Sequence, residues 1–300
     1  MAPEYILETT GLSKNYGRIH AVRSLDLAIE KGGVFGLLGP NGSGKTTTLG
    51  MLLGVTVPSA GSFRWFSEDD SASQRRRIGA ILEKPNFYPH LNAWKNLVLV
   101  AMIKGVPRDR ISAVLERVGL YERRFDKFRT YSLGMKQRLA IASALLADPE
   151  VLVLDEPTNG LDPQGIADIR RLVREIGDMG KTIILASHLL DEVQKVCTRF
   201  AILRRGELIH QGRVDDDFSE KIVVEIASVN GERLTEVLSA HGSLLSLEKG
   251  EERVIASFKQ GVTMEEIGSY LFEQRIALTH LALVKKNLEE QFLEIVEKSK

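Results

Sequence analysis

The sequence predicts an α/β fold: a mixed, mainly parallel sheet core, an antiparallel β subdomain ahead of it, a helical insertion, and a small α+β domain at the C-terminal end. Three observations carry the prediction. Short continuous apolar runs recur at "VFGLLG" (34–39), "IGAIL" (78–82), "VLVLDE" (151–156) and "TIILASH" (182–188), as suits strands buried on both faces. Helix-length segments separate these runs, the order expected of parallel crossover units. The opening "EYILETTGLSKNYG" and "AVRSLDLAIEKG" alternate instead with a period of two (Leu25, Leu27, Ile29) and break at glycines, which reads as antiparallel strands.

From about Leu91 to Leu146 the chain carries helical spacing with caps and breakers and no strand pattern, so a helical subdomain is expected there. "RFAILRRGELIHQGR" reads as a hairpin turning at Arg205 and Gly206. The acidic run at 215–217 reads as a solvated turn and a boundary, with one domain over 1–216 and an accessory domain over 217–300. Segments after it follow the order β-α-β-β-α-β, which suits a split-βαβ domain, and "KKNLEEQFLEIVEK" adds a terminal helix.

Composition narrows the function classes. The chain has 300 residues with 40 basic and 40 acidic side chains, so it lacks the bulk positive charge of a nucleic-acid binder, and no nucleic-acid partner is expected. The single cysteine, Cys197, cannot form an intrachain disulfide and reads as a small buried apolar residue in a reducing compartment. The start "MAPEYILETT" is unlike a signal peptide, and no apolar stretch reaches the ~20 residues of a membrane span, so a cytoplasmic location is expected.

Two motifs carry chemistry. "GPNGSGKT" follows a buried strand and opens a helix, the setting a phosphate loop requires. Gly39, Pro40, Asn41, Gly42, Ser43, Gly44, Lys45, Thr46 and Thr47 are the candidate nucleotide-binding residues. Backbone N–H groups cradle the β-phosphate, Lys45 reaches the β and γ oxygens, and the Thr46 hydroxyl can ligate magnesium. "VLVLDE" ends in two carboxylates at the carboxyl edge of a core strand, where ligands of open α/β sheets bind. Asp155 is the candidate magnesium holder and Glu156 the candidate catalytic group facing the attacking water. "YSLGMKQRL" (131–139) places a Ser and a Gly where a helix begins, the makings of a second anion site.

With these landmarks in order over residues 4–215, the chain resembles the ATP-binding cassette (ABC) family of P-loop ATPases. The family's signature, usually L-S-G-G-Q, corresponds here to Tyr131, Ser132, Leu133, Gly134 and Met135, followed by "KQRLAIASALLADPEVLVLDEPTNGLD". The resemblance implies that two nucleotide-binding domains face head to tail, as a homodimer or heterodimer. Each ATP would lie between the phosphate loop of one and Ser132 and Gly134 of the other. It implies that Tyr16 stacks on adenine, that Asn159, Gly160, Leu161 and Asp162 cross the dimer interface, and that His188 contacts the γ-phosphate and positions water. The other five histidines are expected at the surface. ATP and Mg2+ are the implied cofactors.

Two departures from the family pattern stand out. Glu83 replaces the usual glutamine that touches magnesium, and a carboxylate there can ligate the ion but adds negative charge beside the triphosphate. Leu133 replaces the first signature glycine and Met135 the glutamine. Leucine does not take a positive φ cheaply, so the backbone there is either ordinary or strained. The "LLGPNGSGKTTTLGMLLG" and "ILEKPNFYPHL" segments and the C-terminal "LEEQFLEIVEK" resemble exporter cassettes of the drug, antibiotic or lipid-like class. The expected function is therefore the ATP-hydrolysing motor of a separate transmembrane permease subunit, held at the cytoplasmic face of the membrane. The alternative is a soluble cassette ATPase of DNA repair or translation. One cassette, no heptad run and no basic patch weigh against it.

Overall fold

The computed structural model describes residues 4–69, 72–82, 85–217, 222–250, 253–259 and 261–284. The chain forms two compact units, the first ending at Val214 and the second starting at Asp215. Among the described residues no helix is long and apolar enough to cross a membrane.

The first unit opens with β1 (Tyr5–Tyr16) and β2 (Ile19–Glu30), an antiparallel pair. Leu25, Leu27 and Ile29 of β2 are all buried, so the period-two pattern marks the core face. The continuous apolar run becomes β3 (Gly33–Leu38), followed by α1 (Lys45–Leu52), β4 (Ala60–Trp65), β5 (Glu68–Asp69), α2 (Ala72–Arg75) and β6 (Ile78–Ile81). The helical insertion comprises α3 (Ala93–Lys104), α4 (Arg110–Arg117) and α5 (Leu133–Leu145), with two 3-10 turns at Tyr121–Arg123 and Phe128–Thr130. The chain then alternates β7 (Val151–Asp155), α6 (Pro163–Asp178), β8 (Thr182–Ser187), α7 (Leu190–Val196), β9 (Arg199–Arg204), β10 (Glu207–Arg213) and α8 (Val214–Asp217).

Two sheets result. One is antiparallel, in the order β2-β1-β4-β5, and the other runs β10-β9-β3-β8-β7-β6. In the second sheet β9, β3, β8, β7 and β6 are parallel, and β10 closes the edge antiparallel to β9. Strands β7 and β8 are buried at every position, as their mainly apolar sequences require. A Cβ built on Gly36 of β3 would lie 2.7 Å from Val193 Cγ1, so glycine there lets α7 press directly on the strand. Trp65 ties the antiparallel sheet to α1: its ring is fully buried and its Nε1 donates to the Leu52 carbonyl at 2.8 Å.

The helical insertion is held by its caps. Asn92 accepts from the Lys95 N–H at 2.8 Å at the start of α3, and Gly105 ends that helix with φ 66°. Asn96, buried on α3, clips the preceding segment: it accepts from the Tyr88 N–H at 2.9 Å and donates to the Tyr88 carbonyl at 3.2 Å.

The second unit contains β11 (Ile222–Ser228), α9 (Gly231–Ser239), β12 (Leu244–Lys249), β13 (Val254–Phe258), α10 (Met264–Glu273) and β14 (Leu278–Leu283). The order β12-β13-β11-β14, antiparallel throughout, puts β13 between the strands that α9 connects, a split-βαβ arrangement. Val224, Ile226 and Phe258 of the sheet and Leu234, Leu238, Ile267 and Leu271 of the helices form its core.

The structure corrects two expectations. The acidic run does not form a turn: Asp215 to Asp217 extend α8, whose first residue, Val214, is buried and donates its N–H to the Thr198 carbonyl at 3.0 Å. Carboxylates early in a helix are favoured by its dipole, which is why the run is compatible with helix. Of the five histidines expected at the surface, His210, His241 and His280 are half-buried. His241 packs edge-on against Phe258 and Tyr270, an apolar role that its polarity hides in sequence. The expected terminal helix at 285–298 and Glu83 lie outside the described residues.

Trp65→Ala is expected to lower stability by about 3–5 kcal/mol through cavity formation and a lost hydrogen bond. Urea unfolding followed by circular dichroism measures it, and a loss under about 1 kcal/mol would contradict the pinning role.

Candidate functional site

Three strand ends build the site. β3 delivers the phosphate loop, which closes on α1 through Gly44 at φ 107°. A Cβ there would come within 2.6 Å of the Ala21 carbonyl oxygen, so both the backbone angle and the space demand glycine. Lys45 is only 5% exposed, yet its charge is fully engaged: Nζ donates to the Gly39 carbonyl at 2.7 Å and the Pro40 carbonyl at 3.4 Å. Pro40, Asn41, Gly42 and Thr46 are exposed, and Thr47 is half-buried. The Ser43 hydroxyl is buried with no hydrogen-bond partner among the described residues, a donor aimed at the inside of the loop.

β7 delivers two carboxylates. Asp155, 4% exposed, accepts from the Thr46 hydroxyl at 2.7 Å, which joins the strand to the first turn of α1. Glu156 follows with φ 47°, a conformation that non-glycine residues seldom adopt. Its N–H donates to the Ala186 carbonyl at 3.0 Å, so the turn stays hydrogen-bonded to β8.

β8 delivers His188. Its Nδ1 lies 2.7 Å from Glu156 Oε2, while Glu156 Oε1 lies 3.3 Å from Lys45 Nζ. One carboxylate therefore bridges the phosphate-loop lysine and the histidine. A carboxylate oxygen only accepts, so across this contact Nδ1 is the donor. The structure brings Lys45, Thr46, Asp155, Glu156 and His188 together as a connected set. Sequence reasoning missed Ser187, whose carbonyl accepts the Gly39 N–H at 3.3 Å and ties β8 to the start of the loop. Its signal was the hydroxyl ahead of the histidine in an otherwise apolar run.

The signature forms a second, separate constellation. Ser132 caps α5 and accepts from the Met135 N–H at 3.2 Å. Leu133 is the first helical residue and has no positive φ, so the glycine replacement costs no backbone strain. Ser132, Leu133 and Gly134 line one cavity of about 280 Å³ with Gly160, Leu161 and Asp162. Asp162 caps α6 and accepts from the Gly165 N–H at 2.9 Å. Leu133 occupies the gap over Gly160, where a Cβ would sit 3.3 Å from its Cδ2. Tyr131 faces the other way: it is buried, donates its hydroxyl to the Arg123 carbonyl at 2.7 Å, and burial pushes that hydroxyl up to about 12. Tyr16 is 49% exposed at the end of β1, with the Lys14 ammonium 5.0 Å from its ring centre.

Comparison with known proteins agrees with this geometry. The family model described as ABC transporter matches residues 22–159. An uncharacterized ABC transporter ATP-binding protein of Bacillus subtilis is 39% identical over 98% of this chain and 97% of its own length. The bacitracin transport ATP-binding protein of Enterococcus faecalis is 33% identical over 99% of this chain and 98% of its own. A solved dimeric ATP-binding cassette, bound to ADP and phosphate after hydrolysis, superposes with a TM-score of 0.61 at 26% identity. That match covers 69% of this chain and 98% of the other.

A charge-assisted bond to a phosphate oxygen contributes about 1.5–3 kcal/mol, so Lys45→Ala is expected to weaken nucleotide binding roughly 10- to 150-fold. Titration with a fluorescent ATP analogue checks this, and unchanged affinity would remove Lys45 from the site.

Proposed function

The chain belongs to the family of ABC transporter ATP-binding proteins, and from that premise we propose that it drives export of drug-, antibiotic- or lipid-like substrates through a separate transmembrane subunit. The observation that carries the hydrolytic part is the Glu156 carboxylate, held between Lys45 and His188 at the mouth of the phosphate loop. Residues 1–216 constitute the ATPase domain and 217–300 an accessory domain, a division supported by the break between compact units after Val214.

Phosphoryl transfer depends on charge neutralisation and in-line geometry. The loop amides of Gly42 and of Gly44 to Thr47, with the Lys45 ammonium, hold the β- and γ-phosphates, and Tyr16 offers its exposed ring to adenine. The donor set suits magnesium: Thr46 and Asp155 already share a hydrogen bond, both are hard oxygen ligands, and Glu83 is the third candidate. When bound, Mg2+ neutralises charge on the β- and γ-phosphate oxygens. Glu156 accepts a proton from the attacking water as its oxygen bonds to the γ-phosphorus and the bond to ADP breaks. His188, with Nδ1 held by Glu156, presents Nε2 toward the γ-phosphate. Ser132 and the N-terminus of α5 supply a second set of donors to a γ-phosphate held by a partner cassette, while Asn159 to Asp162 run along the interface.

The membrane partner has a candidate seat. Ile81 and Leu82 at the end of β6, Phe87, and Leu99, Val100 and Ile103 of α3 line a groove together with polar Asn86 and Ser143. Ile103 at its rim is 85% exposed. A cytoplasmic helix of a permease subunit suits such a groove, and this seat would hold the chain at the cytoplasmic face of the membrane. The drug or antibiotic class rests on the likeness to the bacitracin transport protein together with the Glu83 segment.

Glu156→Gln is expected to retain ATP binding while turnover falls by ~10²-fold or more, as for loss of a general base. Phosphate release and ATP titration measure the two, and normal turnover would overturn the assignment. Ile103→Glu is expected to leave ATP binding unchanged while abolishing co-purification of a polytopic membrane protein with the Glu156→Gln variant. Retained co-purification would move the seat elsewhere.

A further inference from the structure

Beneath His188 the fold buries charged groups that hydrolysis, as derived above, does not use. Glu192 on α7 is 1% exposed, and its Oε2 accepts from the Ser187 hydroxyl at 2.9 Å. The same hydroxyl oxygen accepts the Leu189 N–H at 3.1 Å. Ser187 is itself fully buried and tied to the phosphate loop through its carbonyl and the Gly39 N–H. The residues on both sides of His188 are thus fixed by one hydroxyl, and that hydroxyl is fixed by Glu192.

On the other side of Glu192 stands Arg170 of α6; among the described residues neither Glu192 Oε1 nor Arg170 Nε has a hydrogen-bond partner. Both residues line one small cavity, walled by Pro157, Thr158, Leu185 and Val196. Arg170 is anchored on its far side, where a terminal nitrogen donates to Asp191 at 2.7 Å. Pro157 and Thr158 directly follow Glu156, so the cavity lies between the turn that carries the carboxylate and the helix that follows the histidine.

We propose that Glu192 is a positioning residue for hydrolysis: it holds the Ser187 hydroxyl and thereby fixes the His188 ring against Glu156. A buried glutamate could simply pin α7 to the core. The connection argues for more, because its hydrogen bond ends on a side chain that fixes the backbone flanking His188. The proposal rests on the hydrolytic reading of Glu156 and His188, and the test separates the two.

The experiment compares steady-state phosphate release by Glu192→Ala, Glu192→Gln, Ser187→Ala and His188→Ala, and by Glu192→Ala and Ser187→Ala each combined with His188→Ala. Thermal melting checks that each variant is folded. Glu192→Ala is expected to lower kcat roughly 10- to 100-fold, the scale of a misplaced reacting group, with KM for ATP within about two-fold of the parent. Glu192→Gln keeps an acceptor for the Ser187 hydroxyl and is expected to restore most of the rate. Combined with His188→Ala, Glu192→Ala should add less than about a two-fold loss, because both act through one ring. Losses that multiply in the double variant, or unchanged kcat in Glu192→Ala, would overturn the proposal. Unchanged turnover in His188→Ala alone would overturn the role of His188 and this proposal with it. Should Glu192→Ala fail to fold, Ser187→Ala in the two backgrounds decides by the same criterion.

Discussion

The arrangement of the candidate site depends on one carboxylate shared between two partners. Glu156 reaches Lys45 with one oxygen and His188 with the other. The two contacts can coexist only because β3, β7 and β8 are parallel neighbours whose carboxyl ends meet on one edge. The ion pair is not an obvious source of stability. Removing two charges from water costs several kcal/mol per ion, a sum that their attraction only approximately offsets. The positive φ of Glu156 adds on the order of 1–3 kcal/mol of strain. Both costs run against folding, so the arrangement is better understood as position obtained at the expense of stability.

Much of this was legible in the sequence, for reasons that can be traced to particular residues. Strands buried on both faces are mainly apolar, so β3, β7 and β8 announced themselves, and the phosphate loop and paired carboxylates stood at their ends. Ser132 was legible as a cap because a short hydroxyl before a helix has few other uses. What stayed hidden depends on distance along the chain. Nothing local to Glu156 indicates a left-handed backbone; its N–H bond to Ala186 in β8 is what keeps the turn hydrogen-bonded. His241 is a polar letter in an aromatic cluster, and Asn96 a polar letter inside a helix whose partner lies eight residues back. Glu192 reads as an ordinary acid in a helix first turn until β8 is laid beside it.

The signature shows how a departure from a family pattern can be absorbed. A leucine in place of glycine would be costly if the backbone needed a positive φ. The helix begins one residue earlier than that demand, with Ser132 as the cap and Leu133 already helical. The added side chain then lies over Gly160, and Leu161 reaches back toward Gly134. Substituting the glycine thus shifts the problem from backbone conformation to packing, where the neighbouring loop supplies a glycine to receive it.

That packing bears on how two cassettes would meet. The Lys45–Glu156–His188 set and the Ser132–Asp162 cavity are distinct constellations on one compact unit, each with donors suited to a phosphate. On the proposed reading each constellation is one half of a nucleotide site, and two copies related by a twofold axis would complete both at once, since an isologous contact repeats each pairing. Leu133, 45% exposed at the signature, would then enter the contact as an apolar group where a glycine leaves only backbone. Apolar area buried beside the phosphate donors strengthens closure without adding charge. The substitution that at first looks like damage to an anion site is consistent with one that trades backbone access for adhesion between the halves.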